Sequence, residues 1–359
     1  MNVMNKTLIA FASLLLTAPA FAAGPASKAI PKGAAPLSDT ERYARRCQGR
    51  GPDRSGTPQG TMLWGMKGAW GALPGGSELR SVVMSVDLNA LRKTDAAVKS
   101  LKLEDGRLVA SPESSTGPVG TVLQGTSSEG KPVEVAFCGA EPATGDADTV
   151  WYRIEAWNPV AQEWENPCVA TGNVPDPRAL AVAGVWDASG ARQEAPGKLT
   201  LACETGVIAK CIGWGYKPWA RRDGQSLTEL HQACTRMARA DYCGNGQSHT
   251  HEGTLIDFYD RLGVNAATTE SSPDWDLSRV SFEAAWAPDG ATCLARTRDG
   301  RALETIAKEC PARLRAGEAE LGQGDRCKLQ REGMSAGAPL LRNRSYENTQ
   351  GAATPAPGQ

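Results

Sequence analysis

The chain has almost no net charge: 39 Lys and Arg against 40 Asp and Glu give −1 over 359 residues. With no basic field to draw nucleic acid or an anionic membrane surface, neither is expected as a partner. Histidine is scarce, with three in the whole chain. HExxH, GxSxG and CxxC are all absent. The sequence therefore offers no zincin helix, no nucleophile elbow, and no thioredoxin-like site or zinc ribbon. Beyond the N-terminal segment no stretch is apolar for long enough to cross a bilayer, so no membrane span is expected after signal cleavage. No cofactor is implied.

What is present starts with residues 1–22, which read as a signal peptide. Lys6 supplies the positive region, residues 7–16 are apolar, and Ala20-Phe21-Ala22 fits the small-residue cleavage rule. The expected destination is the periplasm or the outside of the cell. Export makes the ten cysteines interpretable. Cys47, Cys138, Cys168, Cys203, Cys211, Cys234, Cys243, Cys293, Cys310 and Cys327 are even in number, and an oxidising compartment predicts disulfides. Spacing leaves the pairing open. A hydrophobic content of 41% with 22% charged residues is that of a globular chain, long enough for two domains.

Residues 23–46 are an Ala/Pro/Gly-rich lead-in that ends in a short helical turn over residues 40–46. Residues 47–172 carry short β-branched and aromatic runs separated by turn clusters. In Val150-Trp151-Tyr152-Arg153-Ile154-Glu155-Ala156-Trp157 apolar residues alternate along one face. This predicts a mostly antiparallel β domain, with one short helical period at residues 89–101. The Pro/Gly-rich stretch 171–177 is the expected boundary. Beyond it, residues 179–185, 198–203 and 207–214 read as strands, the first equally as a short Ala-rich helix. Ser226 and Glu229 have capping-box spacing, and the apolar face behind them predicts a helix to about Tyr242, stopped by Gly244. A strand at 254–259, a hairpin around Pro288-Asp289-Gly290 and a helix at 302–309 follow. Residues 331–359 read as a mostly disordered tail, polar from Asn343 onward.

Candidate site residues gather between residues 201 and 260. His249 and His251, two apart, are candidate metal ligands if they share a strand face. The bland reading is a polar loop in which one histidine bonds the backbone. His231 lies on the apolar face of the helix and is read as a core residue. Asp241 shares that face; it is either part of a catalytic centre with His249 or a buried acid that satisfies loop amides. Cys243 as a nucleophile is outweighed by disulfide pairing. The chain's tryptophans read first as core filling; Trp214, Tyr216 and Trp219, in Gly213-Trp214-Gly215-Tyr216-Lys217-Pro218-Trp219, are the best candidates for an exposed aromatic binding loop, because its glycines and proline discourage burial.

Ala240-Asp241-Tyr242-Cys243, with the GWGYKPW segment before it and the FEAAW-x-PDG hairpin after it, resembles the ADYC domain, an exported bacterial family. The resemblance spans residues 178–330 and implies no activity, cofactor or catalytic residue. The fold class expected overall is β-rich α+β: an antiparallel β domain, then a disulfide-stabilised α+β domain with one main helix. The function expected is a structural or interaction module for an envelope protein or glycan. A second reading is an exported hydrolase centred on His249 and Asp241.

Overall fold

The computed structural model describes residues 36–52, 62–68, 70, 79–93, 98–250, 253–334 and 340–346. The signal-peptide reading and His251 fall outside them. Helix α1 (Asp39–Ala44) opens with a capping box in which Ser38 Oγ accepts from Glu41 N at 3.3 Å and Glu41 Oε2 accepts from Ser38 N at 3.0 Å.

Eleven strands follow: β1 (Ser85–Lys93), β2 (Ser100–Glu104), β3 (Arg107–Ser111), β4 (Val122–Thr126), β5 (Pro132–Ala143), β6 (Asp146–Asn158), β7 (Glu163–Glu165), β8 (Ala179–Ala183), β9 (Val185–Trp186), β10 (Arg192–Gln193) and β11 (Lys198–Cys203). The order β5-β4-β1-β11-β8-β6 closes on itself, because β6 also pairs β5 with Phe137 opposite Ile154 and Ala140 opposite Tyr152. The result is a closed antiparallel ring of six strands with β7 appended to β6. Closure removes the free sheet edges that would otherwise template aggregation. Val86, Leu123, Val135, Phe137, Tyr152, Ile154, Leu199 and Leu201 are buried in the core. The alternation read over residues 150–157 holds: Tyr152, Ile154 and Ala156 are buried.

The chain passes the 171–177 stretch and returns to the same sheet. Strands β8 and β11 follow the 171–177 stretch, yet both are ring members, with β11 paired to β1 at Val86–Leu199. A proline-rich joint signals a chain reversal whether or not the next strand rejoins the same sheet. Of residues 89–101, read as a short helical period, 89–93 lie in β1 and 100–101 in β2.

After β11 comes α2 (Val207–Gly213), where a strand was expected. Short apolar runs are ambiguous in period. Here Val207, Ile208, Cys211 and Ile212 are buried, and Cys211 is bridged to Cys234. Strands β12 (Arg221–Arg222) and β13 (Gln225–Ser226) form a small ribbon leading into α3 (Thr228–Arg239). The expected capping box at Ser226 and Glu229 does not form, since the cap position is Leu227 and Ser226 lies in β13. Ten of the twelve α3 residues are buried, so α3 is a core helix covered on nearly all sides.

The second sheet runs β14-β19-β15-β16-β18-β17, from β14 (Ile256–Asp260), β15 (Val280–Ala287), β16 (Gly290–Leu294), β17 (Arg315–Glu320), β18 (Arg326–Gln330) and β19 (Leu341–Tyr346), with helix α4 (Leu303–Glu309) before β17. The hairpin at Pro288-Asp289-Gly290 joins β15 to β16 as expected. Strand β19 corrects the reading of disorder from Asn343: it lies between β14 and β15. Its buried positions include Asn343 and Ser345, both 0% exposed, which hide the apolar alternation. Asn343 Oδ1 accepts from Trp286 Nε1 at 2.8 Å, and Ser345 Oγ donates to Glu283.

The fold is thus β-rich α+β with antiparallel ladders and a single main helix. One apolar cluster runs through the ring, α2, α3 and the second sheet. All ten cysteines pair, as Cys47–Cys138, Cys168–Cys203, Cys211–Cys234, Cys243–Cys310 and Cys293–Cys327. Among the described residues no helix is long and apolar enough to cross a membrane.

The bridge between α2 and α3 closes a loop of 23 residues. Replacing Cys211 and Cys234 together by Ser is expected to lower unfolding free energy by about 3 kcal/mol through the freed unfolded chain. Urea titration reads this; a midpoint equal to that of the parent would contradict it.

Candidate functional site

The end of α3 is built around a buried ion pair. Glu283 on β15 and Arg298 after β16 are 0% and 3% exposed, with Nη2 to Oε1 at 2.9 Å. Burial alone would push the Glu283 carboxyl up, but the adjacent guanidinium outweighs it and holds the group below the usual carboxylate range. Arg298 also donates to the carbonyls of Met237 at 2.9 Å and Ala238 at 3.2 Å. A cation thus meets the orphan carbonyls of the last α3 turn.

Ala240 leaves the helix in the left-handed region at φ 50°. Asp241 is fully buried and acts as an acceptor hub. It takes Arg236 Nη1 at 2.6 Å, Asn245 N at 3.1 Å and Gly246 N at 2.9 Å. Tyr242 stacks on Trp286 with ring centroids 5.4 Å apart. Its hydroxyl donates to Glu283 at 3.2 Å and accepts Arg298 N at 2.7 Å. Burial and then Glu283 push this phenol well above its ordinary range. Cys243 is fastened to Cys310 behind α4. Gly244 is not the helix stop that was expected. It is needed because a Cβ there would lie 1.8 Å from the carbonyl oxygen of Asp289 in the β15–β16 turn.

These four residues carry the motif of the ADYC domain, whose family model matches residues 116–300, just over half of the chain. The chain belongs to the ADYC domain family. The matched span begins in the ring, before β4, rather than at residue 178, so the ADYC domain includes ring strands as well as α3 and the β15–β16 hairpin. No curated protein and no solved structure matches the chain.

In this ADYC chain the polar residues marked as catalytic candidates are used internally. His249 is 1% exposed. Its Nδ1 lies 3.0 Å from the Ala240 carbonyl, which only accepts, so Nδ1 is the donor. Its Nε2 faces Glu309 Oε2 at 3.2 Å. Both ring nitrogens thus have protein partners, and His251 is outside the described residues. Among the described residues no three metal-ligating groups converge. Asp241 and His249 share a neighbourhood at the end of α3 but address different partners. Cys243 is oxidised in its bridge to Cys310, and Cys234 pairs with Cys211.

His231 is a core residue. Its Nε2 donates to the Ile208 carbonyl at 3.0 Å, and its ring meets Trp186 edge-on at 5.8 Å. Desolvation lowers its pKa to about 4, so it is neutral near pH 7.

The aromatic loop divides. Tyr216 is fully buried, its ring near Phe258 and its hydroxyl 3.2 Å from Asp260 Oδ2, so it is not an exposed binding residue. Trp214 is half-buried, 4.8 Å from the Phe258 ring. Strand β14, 40 residues downstream, supplies the cover that the glycines and proline did not foretell. Trp219 differs. It is half-buried and rests its ring on the β2–β3 turn, where a Cβ on Gly106 would meet it at 2.7 Å. It also lines a cleft of about 620 Å³ with Glu104, Asp105, Arg107, Asp148 and Lys217. Lys217 Nζ is held by Asp146 at 2.7 Å. Lys217 belongs to the aromatic loop itself, but the sequence reading missed Glu104, Asp105, Arg107 and Asp148, because they come from two hairpins distant from it in the chain. Asp105-Gly106, with φ 47° and 77°, was the one local signal: a tight hairpin turn.

Two measurements follow. The unfolded chain carries an ordinary histidine at 6.5 where the folded chain has about 4, so it takes up a proton first as pH falls. The His231 contribution is therefore full above pH 6.5 and is lost toward pH 4, by about 3 kcal/mol. Urea midpoints of His231→Gln should fall less steeply across that window than those of the parent; parallel curves would refute the assignment. Arg298→Met strands the Glu283 carboxylate and should cost about 3–5 kcal/mol, read by thermal and urea unfolding.

Proposed function

We propose that this ADYC-domain protein is an exported, disulfide-stabilised interaction module that captures an envelope protein or glycan, with the Trp219 cleft as its recognition face. One observation carries the reading: the rare polar residues of the motif serve the fold, while the Trp219 ring and a set of charged side chains line an open concavity. Concave sites with an aromatic wall and a few convergent polar groups are the common form of ligand sites. Five disulfides, with no cysteine left free, suit an oxidising extracytoplasmic compartment and a rigid platform.

The hydrolase reading, centred on Asp241 and His249, finds less support. A general base or nucleophile must come within hydrogen-bond reach of substrate. Asp241 is 0% exposed and its oxygens are occupied by Arg236 and two loop amides; His249 is 1% exposed.

Co-sedimentation with isolated cell envelopes tests the proposal. The parent should pellet with them, and Trp219→Ala should lose roughly tenfold in apparent affinity, the scale of a central aromatic contact. Equal capture by the variant refutes the cleft as the recognition face. Release of soluble fragments from the same envelopes by pure protein would establish the hydrolase instead.

A further inference from the structure

We infer that the ligand of the Trp219 cleft is a neutral oligosaccharide segment of a glycan; this rests on the reading of the cleft as the recognition face. Three features of the wall select the class. The first is the Trp219 ring, held in place by the backbone of Gly106 before any ligand arrives. A pre-positioned indole offers a flat apolar surface to the C–H face of a pyranose with little ordering cost.

The second feature is the mixed charge. Glu104, Asp105 and Asp148 present acceptors, and Arg107 and Lys217 present donors. The carboxylates oppose an anionic ligand, and the two cations oppose a polycation. A ligand rich in hydroxyls is matched by both sets at once, because each hydroxyl donates and accepts. A protein partner fits less well, since the buried centre of a protein interface is depleted in charge.

The third feature is length. Arg107 and Val109 also line a neighbouring concavity of about 560 Å³, which carries the hydroxyl-bearing Ser114, Ser115 and Thr116. Two clefts that share Arg107 and Val109 offer contacts to more than one linked sugar unit.

Isothermal titration with purified neutral tetrasaccharides tests this: gluco-, manno-, galacto- and N-acetylglucosamine-based, beside a heparin-derived anionic and a chitosan-derived cationic tetramer. At least one neutral member should bind with a Kd of about 1 mM or tighter, and about tenfold tighter than its monosaccharide. Trp219→Ala should weaken it by roughly tenfold, whereas Trp219→Phe should retain most of the binding. Because Trp219→Ala also removes a packing contact, the exposed Glu104→Gln and Asp148→Asn serve as second variants. Each should weaken the neutral sugar by about threefold or more with unchanged melting temperature. Absence of binding across the neutral panel, or tighter binding of either charged tetramer, overturns the inference. If that occurs while Trp219→Ala still loses envelope capture, the recognition face stands and only the ligand class falls. If capture is intact in Trp219→Ala, both fall.

Discussion

The buried pair of Glu283 and Arg298 is the constraint on which the rest of the structure depends. Taking two charges out of water costs several kcal/mol per ion unless the remaining donors and acceptors are matched. Here they are matched by structure that must be in place at the same time. Arg298 needs the carbonyls of Met237 and Ala238 at the end of α3, and Glu283 needs Ser345 from β19 and the Tyr242 hydroxyl. The pair therefore ties α3 and strands β15 and β19 into one arrangement. Misplacing any of them leaves a charge unpaired in the core.

The ADYC tetrapeptide is then understood as the outlet of α3. Ala240 takes the left-handed position, where a larger side chain would have less room in a fully buried turn. Asp241 gathers the loop amides, Tyr242 fills the space over Trp286, and Cys243 anchors α4. Every member has an architectural task. A motif can be specific in residue type because packing and polar satisfaction are specific, without chemistry on a substrate.

Around this centre one large apolar cluster extends through both sheets, with two smaller clusters beside it. The ring recruits β8 and β11 from beyond the proline-rich stretch, and α2 and α3 lie between it and the second sheet. The face that this leaves open at the β2–β3 and β5–β6 hairpins is where Trp219 emerges. The proposed recognition face would lie at the β2–β3 ribbon and the start of β6, on residues other than those of the polar network at the end of α3.

Much of the fold was legible in local pattern. The strand alternation at residues 150–157, the strand at 198–203, the α3 stripe, the Pro288-Asp289-Gly290 hairpin and the even cysteine count each follow from short-range rules. What failed did so for identifiable reasons. Residues 207–214 are apolar on too short a run to reveal a period, and only the bridge to Cys234 and packing on α3 make them helical. Strand β19 hides its register because its inward positions are Asn343 and Ser345, polar groups that became buriable only through Trp286 and Glu283. Tyr216 looked exposed beside glycine and proline because its cover, Phe258, arrives from another element. The sequence by itself determined most of the strands and the main helix, that the cysteines pair, and the family. Tertiary structure decided which cysteines meet, that the ring takes strands from both sides of the 171–177 stretch, and that Trp219 rather than Tyr216 faces a cleft. The first set depends on near neighbours along the chain; the second depends on contacts between residues far apart, which no local period encodes.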